Sequence, residues 1–237
     1  VRCHASCEYS AARVLKKFSD YIYIGPSRPV LSMGNVILTT GISFGRNMIG
    51  IITRPYETYR RIIRHGTFFE LVYIGLLLVI YFATASLVKT ASFRPYLLSR
   101  QFIVLTAATG FTFAVCVGTL WLTGRILGVK PDLKKVVIGW GYTLIPTLTW
   151  FWSTSLLYVV LPPPRTTSIP GILFSMVYLL FSATLFFWKI TLAYLTLRFG
   201  MRLTLQKIAA VVALSLPVLG AYSFAMYRLG IFRIPFF

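Results

Sequence analysis

Acid is what this sequence has least of. Its 237 residues include five carboxylates, Glu8, Asp20, Glu57, Glu70 and Asp132, against 24 lysines and arginines. Only 12% of the chain is charged, about half the share of a soluble domain. Histidine is scarce too, with only His4 and His65. The carboxylate–histidine pairing of an acid/base site has almost nothing to be built from. Ser153 and Ser155 have no base beside them and read as hydroxyls bonded back to their own helix. No phosphate-binding glycine loop occurs. No catalytic residue and no cofactor are therefore expected. The three cysteines are Cys3, Cys7 and Cys116, too few for a disulfide framework. Cys3, His4 and Cys7 lack a second ligand pair at zinc spacing, so no metal is expected. Cys116, inside an apolar run, reads as a packed or lipid-facing thiol.

What is present points to lipid. The chain is 57% hydrophobic, with a mean hydropathy of +0.76. The net charge of +19 would also suit nucleic acid. Here, however, the basic residues fall between apolar runs, where lysine and arginine hold cytoplasmic loops beside anionic lipid. The expected partners are the bilayer and its anionic head groups, with a membrane protein or a second copy of the chain as protein partner. Nucleic acid is not expected.

The fold class read from this pattern is all-α. It is a polytopic bundle of five transmembrane helices with an N-terminal amphipathic interfacial helix. Residues 1–32 are polar and mixed, with Lys16-Lys17 and a Gly25-Pro26 break, and read as a disordered or non-native tail. No apolar core follows a basic start, so they are not a secretory signal. Met33 is taken as the natural start, and Val1 as a translated GTG codon that favours a prokaryotic source. Residues 33–67 form the interfacial region. Its segment 36–52 is apolar but interrupted by Gly41, Gly45, Arg46 and Gly50, too broken to span. In the stretch that follows, Pro55 suits a first helical turn and Gly66 its end. Tyr56, Tyr59 and Ile63 recur at helical spacing on one side, and Arg60, Arg61 and Arg64 crowd the other. That pattern predicts a helix lying on an anionic cytoplasmic surface.

Residues 68–230 form the membrane domain, with spans expected over 68–88, 102–122, 136–161, 171–197 and 208–227. Gly110, Ala114 and Gly118 stand four apart on the second span, a small-residue ridge that permits close helix contact. Pro146 in the third has no N–H, so the Tyr142 carbonyl loses its usual partner. In lipid that carbonyl must find another donor, and Thr143, Thr147 and Thr149 are candidates. A kink is expected there, and a second at Pro217 in the fifth span. Residues 162–170, with four prolines and Arg165, read as a short stiff loop. Lys189, late in the fourth span, needs a partner or a route to the interface, and Glu70 is the acid offered for it.

Seventeen basic residues fall on the side of the N-terminus and six opposite, with Lys189 set aside. The N-terminus should be cytoplasmic and the C-terminus outside, in the plasma membrane if the source is prokaryotic. The residues singled out are Tyr142, Pro146, Pro217, Glu70 and Lys189, with Arg60, Arg61 and Arg64 on the membrane surface.

Four stretches together resemble the Yip one domain family, five-span membrane proteins named for binding Ypt/Rab GTPases. They are Arg54-Pro-Tyr-Glu-Thr-Tyr-Arg60 before the first span and Gly128-Val-Lys-Pro-Asp-Leu-Lys-Lys135 before the third. Gly141-Tyr-Thr-Leu-Ile-Pro146 lies inside the third, and Trp188 stands late in the fourth. The resemblance covers about residues 50–230. It implies a compact five-helix bundle with a cytoplasmic N-terminus, and for eukaryotic members a role in vesicle traffic between Golgi and endoplasmic reticulum. The chain shows no long acidic or proline-rich N-terminal region of the eukaryotic kind, and no GTPase-binding residue carries over. The resulting expectation is a non-enzymatic, membrane-organising or partner-binding protein. The alternative is a small permease or channel subunit with a cavity at the Pro146 and Pro217 breaks.

Overall fold

The computed structural model describes residues 33–89, 95–160 and 169–230. The polar tail with Cys3, His4 and Cys7, the turn around Arg165, and residues 231–237 lie outside them. The chain divides into two compact units, 1–39 and 40–237. Of the first, only residues 33–39 are described, and they begin a helix. The second unit holds everything discussed below.

Every described element is helical. In order they are α1 Met33–Thr53, α2 Pro55–His65, α3 Phe68–Lys89, α4 Pro95–Ile126, α5 Leu133–Tyr142, α6 Leu144–Val160 and α7 Ile169–Leu195. A π-helical turn, Thr196–Gly200, and α8 Leu205–Arg228 complete them. Local chemistry sets the boundaries. Pro55 opens α2, where its missing N–H is no loss. Gly66 closes α2 by donating to the Ile62 carbonyl at 2.7 Å. Asp132 caps α5, its carboxylate accepting from the Lys134 N–H at 3.1 Å.

Four helices are long and apolar enough to cross a membrane: Phe68–Ser86, Ser99–Ile126, Gly171–Gly200 and Leu205–Arg228. Their outward faces are apolar. On α7, Leu173, Met176, Val177, Leu179 and Leu180 are all exposed, as suits a lipid solvent. Several polar side chains on these helices and on α6 pair between neighbours. Thr112 meets the Tyr222 hydroxyl at 2.7 Å and Thr123 meets Ser215 at 3.3 Å, joining α4 to α8. The Trp150 indole donates to Ser182 at 3.0 Å, and Thr154 meets the Tyr178 hydroxyl at 2.5 Å, joining α6 to α7. Such bonds hold membrane helices together where burial of apolar surface gives no drive.

The expected third span is not one helix. It is divided into α5 and α6 at Thr143. The Thr143 N–H turns back to the Trp140 carbonyl at 3.0 Å, one residue short of the α-helical partner. Pro146, buried in the first turn of α6, cannot donate to the Tyr142 carbonyl four residues back. The threonines do not replace it. Thr143 and Thr149 give their hydroxyls to Trp140 and Ile145 at 2.7 and 3.0 Å. The Thr147 hydroxyl has no partner among the described residues.

Three further expectations are corrected. The ridge of Gly110, Ala114 and Gly118 makes no close helix contact among the described residues. Ala114 and Gly118 are exposed, and a Cβ on Gly110 or Gly118 would meet nothing. Pro217 breaks nothing: α8 runs through it, with the ring exposed. Outward placement leaves the ring no neighbouring helix to displace. Finally, the apolar face of α2 is turned into protein rather than lipid. Tyr59, Ile62 and Ile63 are buried in one cluster with Ile138, Tyr142, Leu192 and Leu195.

Candidate functional site

The core lies where α2, α5 and the π-helical turn meet. α5 is well enclosed, burying Val136, Ile138, Gly139, Gly141 and Tyr142. The approach is close because Gly139 has no side chain. A Cβ there would lie 2.8 Å from the Thr196 methyl and 3.1 Å from the end of Ile63. Across this gap the Tyr59 hydroxyl donates to the Gly139 carbonyl at 2.6 Å. That carbonyl is available because the Thr143 N–H has turned to Trp140. The Thr196 hydroxyl completes the contact, 3.2 Å from the phenol oxygen and 2.9 Å from the Leu192 carbonyl. Its single proton serves one or the other. Burial pushes the Tyr59 phenol well above its ordinary range, so it stays neutral and remains a donor.

Beside this joint lies a buried polar cluster. Glu70, on the first turn of α3, Tyr142 and Asn47 are all under 5% exposed. The Tyr142 hydroxyl donates to Glu70 Oε2 at 2.5 Å. The Asn47 amide nitrogen lies 3.3 Å from the same carboxylate oxygen and 3.3 Å from the tyrosine oxygen. Asn47 Oδ1 in turn accepts from the half-buried Arg61 guanidinium at 2.9 Å. A relay thus runs from an arginine on α2, through α1, to a carboxylate on α3 and the end of α5.

Energetics explain why the cluster is closed on itself. A buried polar group left without a hydrogen-bond partner costs roughly 1–3 kcal/mol. Two donors on one oxygen are what make Glu70 tolerable there. Asn47 suits the middle position because its amide offers both a donor and an acceptor. Phe44 packs against the rings of Tyr73 and Tyr142 at 5.6 and 6.2 Å, covering the cluster with aromatic surface.

The sequence-selected residues are therefore partly assembled. Tyr142, Glu70 and Arg61 are joined, and Pro146 lies four residues beyond Tyr142. Arg60 and Arg64 are exposed on the outer side of α2. Lys189 is not part of the cluster. The Glu70–Lys189 pair is corrected: Glu70 is engaged by Tyr142 and Asn47, and the ion pairs among the described residues do not include it. Pro146 is buried and Pro217 exposed, so the two face different surroundings. Asn47, Tyr59, Gly139 and Thr196 were missed as members of the site. For Asn47 the signal was present, an uncharged amide alone in an apolar segment.

Among the described residues no three histidine, cysteine or acidic side chains come together as metal ligands. What the cluster offers chemically is a polar latch between four helices, tied to a surface cation.

Residues 49–227 match the family model of the Yip1 domain. The match takes in α2, the α5–α6 break and Trp188, which packs against the core cluster. No curated protein and no solved structure matches the chain.

Proposed function

The chain belongs to the Yip1 family, and on that premise we propose a non-enzymatic membrane-organising or partner-binding role for it. It is a multi-pass membrane protein. In this reading α5 and α6 cross the bilayer together as a fifth passage. α1 and α2 lie along the cytoplasmic interface. The N-terminus is cytoplasmic and the C-terminus outside, in the plasma membrane if the source is prokaryotic. Partners are the bilayer, its anionic head groups, and a membrane protein or second copy of the chain.

One observation carries this reading. The polar groups at the helix break, Tyr142, Glu70 and Asn47, are engaged with one another and buried, rather than turned toward an open path. A transport route places such groups where a passing solute reaches them. A closed latch instead fixes the shape of a bundle whose surfaces then do the work.

Two experiments test it. Purified protein in sealed vesicles loaded with small neutral and charged solutes should leak no faster than protein-free vesicles. Solute flux above that background would transfer the chain to the permease class. Reporter fusions at the two termini should show them on opposite sides of the membrane. Termini on one side would contradict the fifth passage.

A further inference from the structure

A cleft of about 700 Å³ opens between α1 and the start of α2, and three of its lining residues are arginines, Arg46, Arg54 and Arg61. One carboxylate, Glu57, shares it. Glu57 reaches Arg54 only at 3.9 Å, with both side chains about three-quarters exposed, and such pairs contribute little. Arg46 has no ion pair among the described residues. Arg61 uses one donor on Asn47 and keeps the rest of its guanidinium fork. Three cations around one acid leave room for an anion. The first turn of α2 also borders the cleft, and helix starts favour anions.

The other wall is apolar. Ile42 and Ile49 line the cleft and stay 65% and 66% exposed. They stand two helical turns apart on α1, so they share a face. A soluble phosphate would use the arginines and leave this face in water. A phospholipid uses both: its phosphate takes the guanidiniums in bidentate fashion, and its acyl chains cover the isoleucines.

We propose that this cleft binds the phosphate of an anionic glycerophospholipid, with its chains laid along Ile42 and Ile49. The proposal rests on the interfacial placement of α1 and α2 given above. It adds a consequence for the core. A phosphate held by Arg61 lies one side chain from Asn47 and two from Glu70, so lipid occupancy reaches the latch at the helix break. α1 and α2 also approach closely at the cleft. A Cβ on Gly50 would run into Thr58, 2.5 Å from its hydroxyl and 2.9 Å from its methyl.

The test is native mass spectrometry of the full-length protein in neutral detergent. It is titrated with phosphatidylglycerol and phosphatidylcholine of matched chains. The protein should retain phosphatidylglycerol about tenfold better. The double variant Arg46→Gln/Arg54→Gln, which spares the Arg61–Asn47 bond, should lose that preference. The control Arg198→Gln/Lys207→Gln, with equal loss of charge elsewhere, should keep it. Should the double variant fail to fold by circular dichroism, Arg46→Gln and Arg54→Gln singly should each lose part of the preference. Equal retention of the two lipids, or equal loss in cleft variant and control, overturns the proposal. So does displacement of the lipid by inorganic phosphate or by polyglutamate, which would assign the cleft to a soluble anion or an acidic peptide. The termini reporters keep failure of this site distinguishable from failure of the membrane placement.

Discussion

Tyr59 reaches eighty residues along the chain to give its phenolic proton to the main-chain carbonyl of Gly139, at 2.6 Å. The bond exists because the helix breaks. With Pro146 unable to donate, the backbone tightens at Thr143, whose N–H turns to Trp140 and releases Gly139. The kink and the docking of α2 are thus one event: what the first leaves unpaired, the second satisfies.

Replacing Tyr59 by Phe should therefore destabilise the protein by about 1–3 kcal/mol, the usual cost of leaving a buried carbonyl without its donor. The ring would still fill its place, so the loss reports the bond rather than the packing. Thermal unfolding in detergent, followed by the aromatic circular dichroism signal, reads it. An unchanged midpoint would mean that water or another donor replaces the phenol.

Gly139→Ala should cost a similar amount, roughly 1–3 kcal/mol, by overpacking against Thr196 and Ile63. Thr196→Ala in the same chain relieves the nearer clash, 2.8 Å to its methyl. The double variant should recover part of the loss in the same unfolding assay. If the two effects simply add, the helices are not in the close contact described.

Much of this architecture is legible in the sequence. Apolar length and spacing give the crossing helices, and Pro146 gives the break, because each follows from one local rule. The direction in which α2 faces is not legible. Tyr59 and Ile63 on one side and arginines on the other suit a lipid surface and a protein groove equally well. Only Gly139 of α5, small enough to admit Ile63 of α2, decides for protein. Glu70 stands out as a rare acid and Tyr142 as a residue beside the break, yet their joining through Asn47 does not, because a phenol and an amide ninety-five residues apart leave no trace in spacing. Charge alone suggested Lys189, and geometry assigns Glu70 elsewhere.

Glu70 and Tyr142 should behave as a coupled pair. In a double-mutant cycle, Glu70→Gln and Tyr142→Phe should show a coupling of roughly 0.5–3 kcal/mol. Lys189→Gln should couple to neither. A coupling of Glu70 to Lys189 larger than that to Tyr142 would contradict the cluster.

Acid should weaken the start of α5. The Lys135 side chain, hydrogen-bonded to Asp132, holds that carboxyl below its usual range, with the ammonium 3.0 Å away. A depressed folded-state pKa stabilises the protein above the unfolded value of about 3.9. That contribution fades as pH falls through the lower folded value. Asp132→Asn should therefore lower the unfolding midpoint at neutral pH and cease to matter in acid. The effect should be small because the pair is partly exposed. A deficit that persists unchanged in strong acid would show that capping geometry, rather than charge, is responsible.

The central claim is that α5 and α6 cross the bilayer together as a latched, dry unit. Single cysteines at Lys134, Trp140, Leu144, Thr147, Ser153 and Arg165, in a chain without Cys3, Cys7 and Cys116, test it directly with a small impermeant thiol reagent. The account predicts labelling at 134 from the cytoplasmic side only, at 165 from the outside only, and protection at the four positions between. Labelling around Tyr142 would mean a water path through the break, and labelling of both ends from one side would mean that the pair never crosses.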